Sequence, residues 1–156
     1  MRVVLLVGVI LLAGCQLAFH QDYSGEDAAT LVFSSDDLPA QPVICVPGEG
    51  FRDTRIAVGR GGMKMLDDLN EAMKKSPEVE VSIPAGRDVI AGFRHRSLER
   101  PGDRDGCRQA VRLSPSANAR YRLHLEDGDR CLISTSQWQN EQWQPLAAET
   151  VAWDCP

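Results

Sequence analysis

Apolar and polar residues alternate along several short stretches of the chain, a period of two that is typical of β-strands with one buried face. Residues 79–83, VEVSI, and residues 121–125, YRLHL, show this alternation most clearly. Turn-forming residues separate these stretches from other short apolar segments. The predicted strands are residues 29–33, 43–46, 55–58, 79–83, 88–93, 110–113, 121–125, 131–136 and 150–153. Short strands separated by turns predict a mainly β fold, an antiparallel β-sandwich.

One segment departs from the period of two. Methionine and leucine recur at helical spacing over residues 63–75. Glu71 and Lys75 form a favourable i,i+4 pair on such a helix, and Pro77 ends it. We expect one short amphipathic helix at about 63–75, with its apolar stripe facing the core of the domain.

Three consecutive strands are expected to form a meander. Strand 110–113 would turn back through 114–120 into strand 121–125. That strand would turn again at Asp127-Gly128 into strand 131–136, because glycine adopts a positive φ without steric cost. The three strands would then lie side by side in one sheet.

The chain begins with a leader, MRVVLLVGVILLAGC. Arg2 supplies a positive charge, and an apolar run follows from Val3 to Leu12. This run is too short to span a bilayer, which needs about 20 apolar residues. Its length and flanks are typical of the apolar region of a secretory signal peptide.

The end of the leader, Leu12-Ala13-Gly14-Cys15, resembles the lipobox of bacterial lipoproteins. The resemblance covers the leader alone. It implies that a diacylglyceryl group alkylates the thiol of Cys15, that a signal peptidase cuts before this residue, and that the new amine is acylated. An uncleaved anchor, or a plain signal peptide with a chance cysteine, is the alternative.

The residue after the cysteine bears on localisation. In this family an aspartate there favours the inner membrane, whereas this chain has Gln16. The resemblance therefore implies a lipid anchor in the bacterial outer membrane, on its periplasmic face.

The chain divides into residues 1–14 as signal peptide, 15–27 as a lipidated polar tether and 28–156 as one sandwich-like domain. Extended residues 16–27 reach at most roughly 40 Å. We therefore expect the domain to sit well clear of the lipid surface.

The charge balance argues against a nucleic-acid partner. The whole chain has a net charge of −5, and loss of the leader removes only Arg2, which makes the net charge −6. Nucleic-acid binding relies on an excess of lysine and arginine. The expected partners are the membrane, through the N-terminal lipid, and an envelope protein.

Four cysteines remain after Cys15, and an even number in an exported chain indicates two disulfides. Zinc is the competing interpretation, but no C-x-x-C pair is present. The meander would bring Cys107 and Cys131 to the same end, so we favour Cys107–Cys131 with Cys45–Cys155. The pairing of Cys45 with Cys107 and of Cys131 with Cys155 stays open.

No catalytic constellation can be assembled from the sequence. It contains no G-x-S-x-G, S-x-x-K or H-E-x-x-H motif. His20, His95 and His124 are expected to be solvated surface residues. We therefore expect no enzyme activity, no cofactor and no metal site.

An arginine-rich tract, residues 93–108, is the densest charged segment. Arginine forks bind phosphate and carboxylate groups in pairs of hydrogen bonds. Arg94, Arg96 and Arg100 are therefore candidate contacts for an anionic partner. A solvated loop whose charges partly pair with one another is the alternative.

Residues 114–121, SPSANARY, are similar to the serine-rich loop, ending in tyrosine, of membrane-bound lysozyme inhibitors. Those inhibitors are small lipoproteins with a β-barrel. The characteristic glycine of that family is replaced here by Asn118. The expected function is a non-catalytic accessory or interaction module of the envelope. An inhibitor or immunity-type lipoprotein against an envelope-degrading enzyme is the alternative.

Overall fold

The computed structural model describes residues 19–35, 40–54, 78–94, 108–126 and 132–156. Within these ranges the chain forms ten strands in two five-stranded sheets. The strands are β1 (Ala29–Ser35), β2 (Gln41–Val46), β3 (Gly50–Asp53), β4 (Val79–Ile83), β5 (Val89–Arg94), β6 (Arg108–Leu113), β7 (Arg120–Glu126), β8 (Leu132–Gln139), β9 (Gln142–Pro145) and β10 (Glu149–Val151). The prediction of a mainly β fold is confirmed.

The first sheet has the strand order β4-β1-β7-β8-β9, and the second has β10-β6-β5-β2-β3. All named neighbouring strands are antiparallel except β1 and β7, which are parallel. The expectation of a wholly antiparallel arrangement is therefore wrong for the first sheet. No tight turn links β1 to β7, so chain connectivity does not impose an antiparallel direction on this pair.

The predicted three-strand meander is also wrong. β6 belongs to the second sheet and β7 to the first, so residues 114–119 cross between the sheets. Pro115 lies in this crossing with its side chain fully buried, and proline has no N–H group to donate to a strand ladder. The predicted pairing of the last two strands is confirmed, because β7 and β8 are antiparallel neighbours, whereas the predicted turn at Asp127-Gly128 lies outside the described residues.

The apolar faces of the two sheets pack against each other and form one core. Phe33 of β1 and Phe93 of β5 meet edge to face, with ring centroids 5.5 Å apart. Leu123 of β7 and Val111 of β6 are also buried in this core. Burying each large apolar side chain stabilises a fold by about 1.5–3 kcal/mol.

Two predicted elements cannot be compared with the structure, and two observed strands were not predicted. The predicted strand 55–58 and the predicted helix at 63–75 lie outside the described residues. The structure adds β3 and β9, which were not predicted. Their sequences, GFRD and QWQP, are short and mostly polar or glycine-containing, so they carry little strand signal.

A disulfide fixes the C-terminal tail to the second sheet. Cys45 of β2 is bonded to Cys155, with Cα atoms 5.5 Å apart. Beside this bond, the Phe51 and Trp153 rings stack with centroids 4.2 Å apart. Cys45–Cys155 is one of the two favoured pairs, whereas the other, Cys107–Cys131, lies outside the described residues.

The N-terminal described segment closes one side of the domain. Phe19 forms a parallel β-bridge with Asp53 at the end of β3, and the His20 amide donates to the Asp53 carbonyl at 2.8 Å. The Tyr23 amide donates to the carbonyl of Ser82 in β4 at 3.0 Å. These bonds satisfy polar backbone groups on two edge strands.

Residues 19–23 therefore run along the domain, although they belong to the predicted tether. The Asp22 carboxylate adds a further bond, since it accepts from the Ser82 amide at 3.1 Å. His20 is buried, and its Nε2 lies 3.4 Å from the Ser82 carbonyl oxygen. The expectation of a solvated His20 is wrong, because sequence alone did not reveal the edge strand on which it packs.

Gly92 in β5 provides a test of this packing. A Cβ atom at this position would lie 2.0 Å from the Gln109 carbonyl oxygen and 2.8 Å from the Ala110 Cα. Gly92→Ala should lower the free energy of unfolding by about 2–3 kcal/mol, because the backbone of β6 must move. The control Ser134→Ala, at an exposed position of β8, should change it by less than about 0.5 kcal/mol. Urea denaturation measures both, and an unchanged stability of Gly92→Ala would contradict the close approach.

Candidate functional site

The outer face of the first sheet carries a group of tryptophan and arginine side chains. In β7, buried and less buried residues alternate. Tyr121 and Leu123 point into the core, so Arg120 and Arg122 project from the opposite face. The alternation predicted for residues 121–125 is thus present, and it places two cations on one surface.

The hairpin of β8 and β9 adds two indole rings to this face. Trp138 and Trp143 are directly opposite each other in the strand register. The two residues between the strands, Asn140 and Glu141, have φ angles of 50° and 63°. A positive φ at both central residues is the requirement of a type I′ turn, whose twist suits a two-residue hairpin. The indole rings are 5.2 Å apart at an interplanar angle of 67°.

The arginines of β7 link this hairpin to the edge strand β4. The Arg122 guanidinium carbon lies 4.1 Å from the centroid of the Trp143 ring, and Arg122 also pairs with Glu78 at 2.5 Å. Arg120 pairs with Glu80, and its guanidinium carbon is 5.8 Å from the same ring centroid. These cation–π contacts are each worth about 0.5–1 kcal/mol at exposed positions.

The two ion pairs reach across β1, which lies between β4 and β7. Val32 of β1 is in register with Glu80 and Arg122 and is fully buried, although it projects from the outer face. Exposed ion pairs contribute about 0–1 kcal/mol to stability, so their main effect here is to hold the guanidinium groups in place.

We call the group of tryptophan, arginine and glutamate side chains on this face the Trp–Arg surface; its members are Glu78, Glu80, Arg120, Arg122, Trp138 and Trp143.

Trp138 is the more exposed of the two tryptophans. Its side chain is 41% exposed, whereas Trp143 is partly covered by Arg122. Tryptophan has a large apolar body and a single N–H donor, and it is enriched where proteins bind partners. The Trp–Arg surface can therefore offer a rigid aromatic anchor beside fixed polar groups.

A cleft of about 690 Å³ lies elsewhere, beside the N-terminal segment. Asp22 and Asp88 line it, but both carboxylates accept structural hydrogen bonds, Asp88 from the Ser114 hydroxyl at 2.6 Å. Arg52 at the cleft pairs with Glu49 at 3.0 Å. Among the described residues, no group of three or more histidine, cysteine, aspartate or glutamate side chains could hold a metal ion.

Tyr23 also lines this cleft. Its hydroxyl donates a hydrogen bond to the Asp27 carboxylate at 2.9 Å. This bond and the negative charge of Asp27 raise the pKa of Tyr23, and desolvation adds to the rise, while the charge of Arg87 acts in the opposite direction. The phenol therefore stays neutral at physiological pH.

A serine and a histidine lie within hydrogen-bond distance on the outer face of the first sheet. The Ser34 hydroxyl oxygen is 2.9 Å from His124 Nδ1. Neither residue lines the cleft. In Ser-His-Asp triads the serine faces Nε2 while an acid orients Nδ1, which is the opposite ring orientation. His124 lies on the outer face of the sheet, as expected of a surface residue, and it is half-buried because β1 lies alongside it.

The candidate arginines are only partly described. Arg94 makes two hydrogen bonds to the Asp53 carboxylate, at 2.6 and 2.9 Å, and is 37% exposed. It would have to leave Asp53 to bind an anionic partner. Arg96, Arg100 and the candidate lipidation site Cys15 lie outside the described residues.

The loop that resembles the lysozyme inhibitors is held by its own hydrogen bonds. Tyr121 is buried, and its hydroxyl oxygen accepts the Ser116 amide at 3.0 Å. Asn118 has a φ of 59°, a left-handed conformation that asparagine tolerates better than most residues. Asn118 can thus adopt the backbone conformation at the position where the lysozyme inhibitors have glycine, and the side chain of Tyr121 points into the core.

The Trp–Arg surface was not predicted from the sequence. A signal was present in QWQNEQWQ, residues 137–144, where the two tryptophans are equally distant from the central Asn140-Glu141 pair. The predicted strand ended at residue 136, and Asn-Glu is a less common I′ sequence than Asn-Gly. The cross-strand partnership of Trp138 and Trp143 was therefore missed.

Comparison with known proteins identifies no relative of this chain. No family model matches the sequence, and no curated protein and no solved structure matches it. In the part of the chain that the structure covers, no helix has the length and apolar character needed to cross a membrane.

Proposed function

We propose that this protein is an outer-membrane lipoprotein, attached through Cys15, whose β-sandwich domain is a non-catalytic interaction module on the periplasmic side. The lipobox Leu12-Ala13-Gly14-Cys15 supports the attachment. Each buried methylene contributes about 0.8 kcal/mol, so two or more acyl chains give a stable anchor.

The observation that best supports an interaction module is the exposed side chain of Trp138 within the Trp–Arg surface. Tryptophan and arginine dominate the residues that supply most of the binding energy in protein interfaces. Arg122 and the facing Trp143 are already held in place, so binding needs little further ordering of side chains. We therefore assign an envelope protein as the partner, with Trp138 inserted into an apolar pocket of that protein.

The charges of the Trp–Arg surface are balanced. Two arginines pair with two glutamates there, so partner binding by this surface should depend weakly on salt. Binding by the arginine-rich tract, residues 93–108, should instead weaken as salt is added, because exposed charges are screened. A salt titration of partner binding thus separates these two routes.

The alternative is an inhibitor or immunity-type lipoprotein acting on an envelope-degrading enzyme. The observation that bears on it is the left-handed Asn118 in the loop 114–119. Such an inhibitor would present the turn around Asn118 to the enzyme, since Tyr121 is buried. Loss of enzyme inhibition on Asn118→Ala, with Trp138→Ala unaffected, would favour this alternative.

The anchor has a direct test. Cys15→Ser should abolish lipid attachment and release the protein from the outer-membrane fraction, because serine has no thiol to alkylate. Gln16→Asp is the matched control, since it keeps Cys15 and should remain lipidated while moving toward the inner membrane. Fractionation and mass analysis of the N-terminal peptide measure both. If Cys15→Ser were found in the outer membrane in wild-type amounts, the proposal of a lipid anchor at Cys15 would be refuted.

The interaction surface is tested by co-purification from solubilised envelopes with quantitative mass spectrometry. Trp138→Ala should weaken capture of the partner by about 30-fold, the equivalent of 2 kcal/mol for a residue that dominates an interface. Leu132→Ala, at another exposed apolar position (50%) on the same strand, should leave capture unchanged. Equal capture by wild type and Trp138→Ala at equal thermal stability would refute the role of Trp138, and capture of glycan strands instead of protein would refute the partner class.

A further inference from the structure

The distance between the proposed anchor and the folded domain is short. Only residues 16–18 separate Cys15 from Phe19, where the chain is already bridged to β3. Four residue steps span at most about 14 Å. The 12-residue tether expected from the sequence would reach nearly three times as far, so docking of residues 19–23 changes where the domain can sit.

Phe19 enters the domain at a defined place. It bridges Asp53 at the end of β3, and Tyr23 is bonded to Ser82 in β4. β3 and β4 are the edge strands of the second and first sheets. We call this flank, formed by residues 19–23 together with β3 and β4, the anchor side.

We infer that the anchor side lies against the phospholipid headgroups of the membrane that holds the lipid, an inference that rests on the proposed lipidation of Cys15. Phe19 and Tyr23 are exposed there, 41% and 36% respectively. Tyrosine, with its apolar ring and polar hydroxyl, is favoured at membrane interfaces, and the exposed ring of Phe19 adds apolar area beside it. Arg87 lines the adjoining cleft, and a guanidinium group can bind phosphate oxygens.

The same geometry directs the other end of the first sheet away from the lipid. β9 is separated from β4 by four strand spacings, or roughly 19 Å at about 4.8 Å each. Trp143 lies on β9 and Trp138 on the adjacent strand β8. The membrane thus occupies one edge of the domain and leaves the tryptophan hairpin open to a periplasmic partner.

Photo-crosslinking of the full-length lipidated protein tests this orientation. The photoreactive residue p-benzoylphenylalanine replaces either Phe19 or Trp138, which are matched because both are 41% exposed. The protein is reconstituted in vesicles of phosphatidylethanolamine and phosphatidylglycerol, and lipid adducts are counted by mass spectrometry. Adducts should form at position 19 and not at position 138. Equal yields at the two positions, or a higher yield at 138, would overturn the inference.

A variant with a longer spacer tests whether the short distance to Cys15 holds the anchor side at the membrane. A flexible insertion of 20 Gly and Ser residues between Ala18 and Phe19 lengthens the spacer from four to 24 residue steps. The local concentration of the domain at the lipid should fall with the −3/2 power of spacer length, so the yield at position 19 should fall about 15-fold. A yield unchanged by the insertion would overturn the claim that the short spacer holds this side at the membrane.

Different results would refute the lipidation of Cys15 and the orientation of the domain. The mass of the Cys15 peptide is measured first, and an unmodified cysteine there refutes the lipoprotein itself. A lipidated Cys15 with adducts concentrated at position 138 leaves the lipoprotein standing and refutes only the orientation.

Discussion

Two backbone hydrogen bonds fasten the N-terminal segment to both sheets and fix the flank at which this segment joins the domain. The His20 amide binds the Asp53 carbonyl of the second sheet, and the Tyr23 amide binds the Ser82 carbonyl of the first. An edge strand with unpaired backbone groups invites pairing with other chains, so residues 19–23 also protect the domain. Under the proposed lipidation of Cys15, this flank would lie nearest the membrane, because only residues 16–18 separate that cysteine from Phe19.

The C-terminus is fastened to the second sheet as well. The Cys45–Cys155 disulfide closes a sequence separation of 110 residues, which in the chain-entropy account stabilises a fold by about 4–5 kcal/mol. A hydrogen bond from the Gly48 amide to the Pro156 carbonyl continues this attachment. The tryptophan hairpin lies at the end of the first sheet opposite β4, so a partner bound there would lie away from the N-terminal attachment on that strand.

Local patterns predicted much of this fold and little of its surface. Alternation located β4 and β7, because one buried face imposes a period of two on a strand. Partner choice between distant strands leaves no such local trace, which is why the parallel pairing of β1 with β7 and the crossing at Pro115 were missed. The placement of Arg120 and Arg122 beside the tryptophan hairpin was missed for the same reason, since only the strand order brings β7 and β9 to the same face.

Hydrogen exchange at the amides of His20 and Tyr23 tests the central claim most directly. Both amides are donors in the structure, and amides in stable hydrogen bonds exchange only when the local structure opens. We expect protection of these two amides comparable to that of the neighbouring strand β4. Exchange at the rate of an unstructured peptide would show that residues 19–23 are a free tether, and the anchor and the domain would then have no fixed relation.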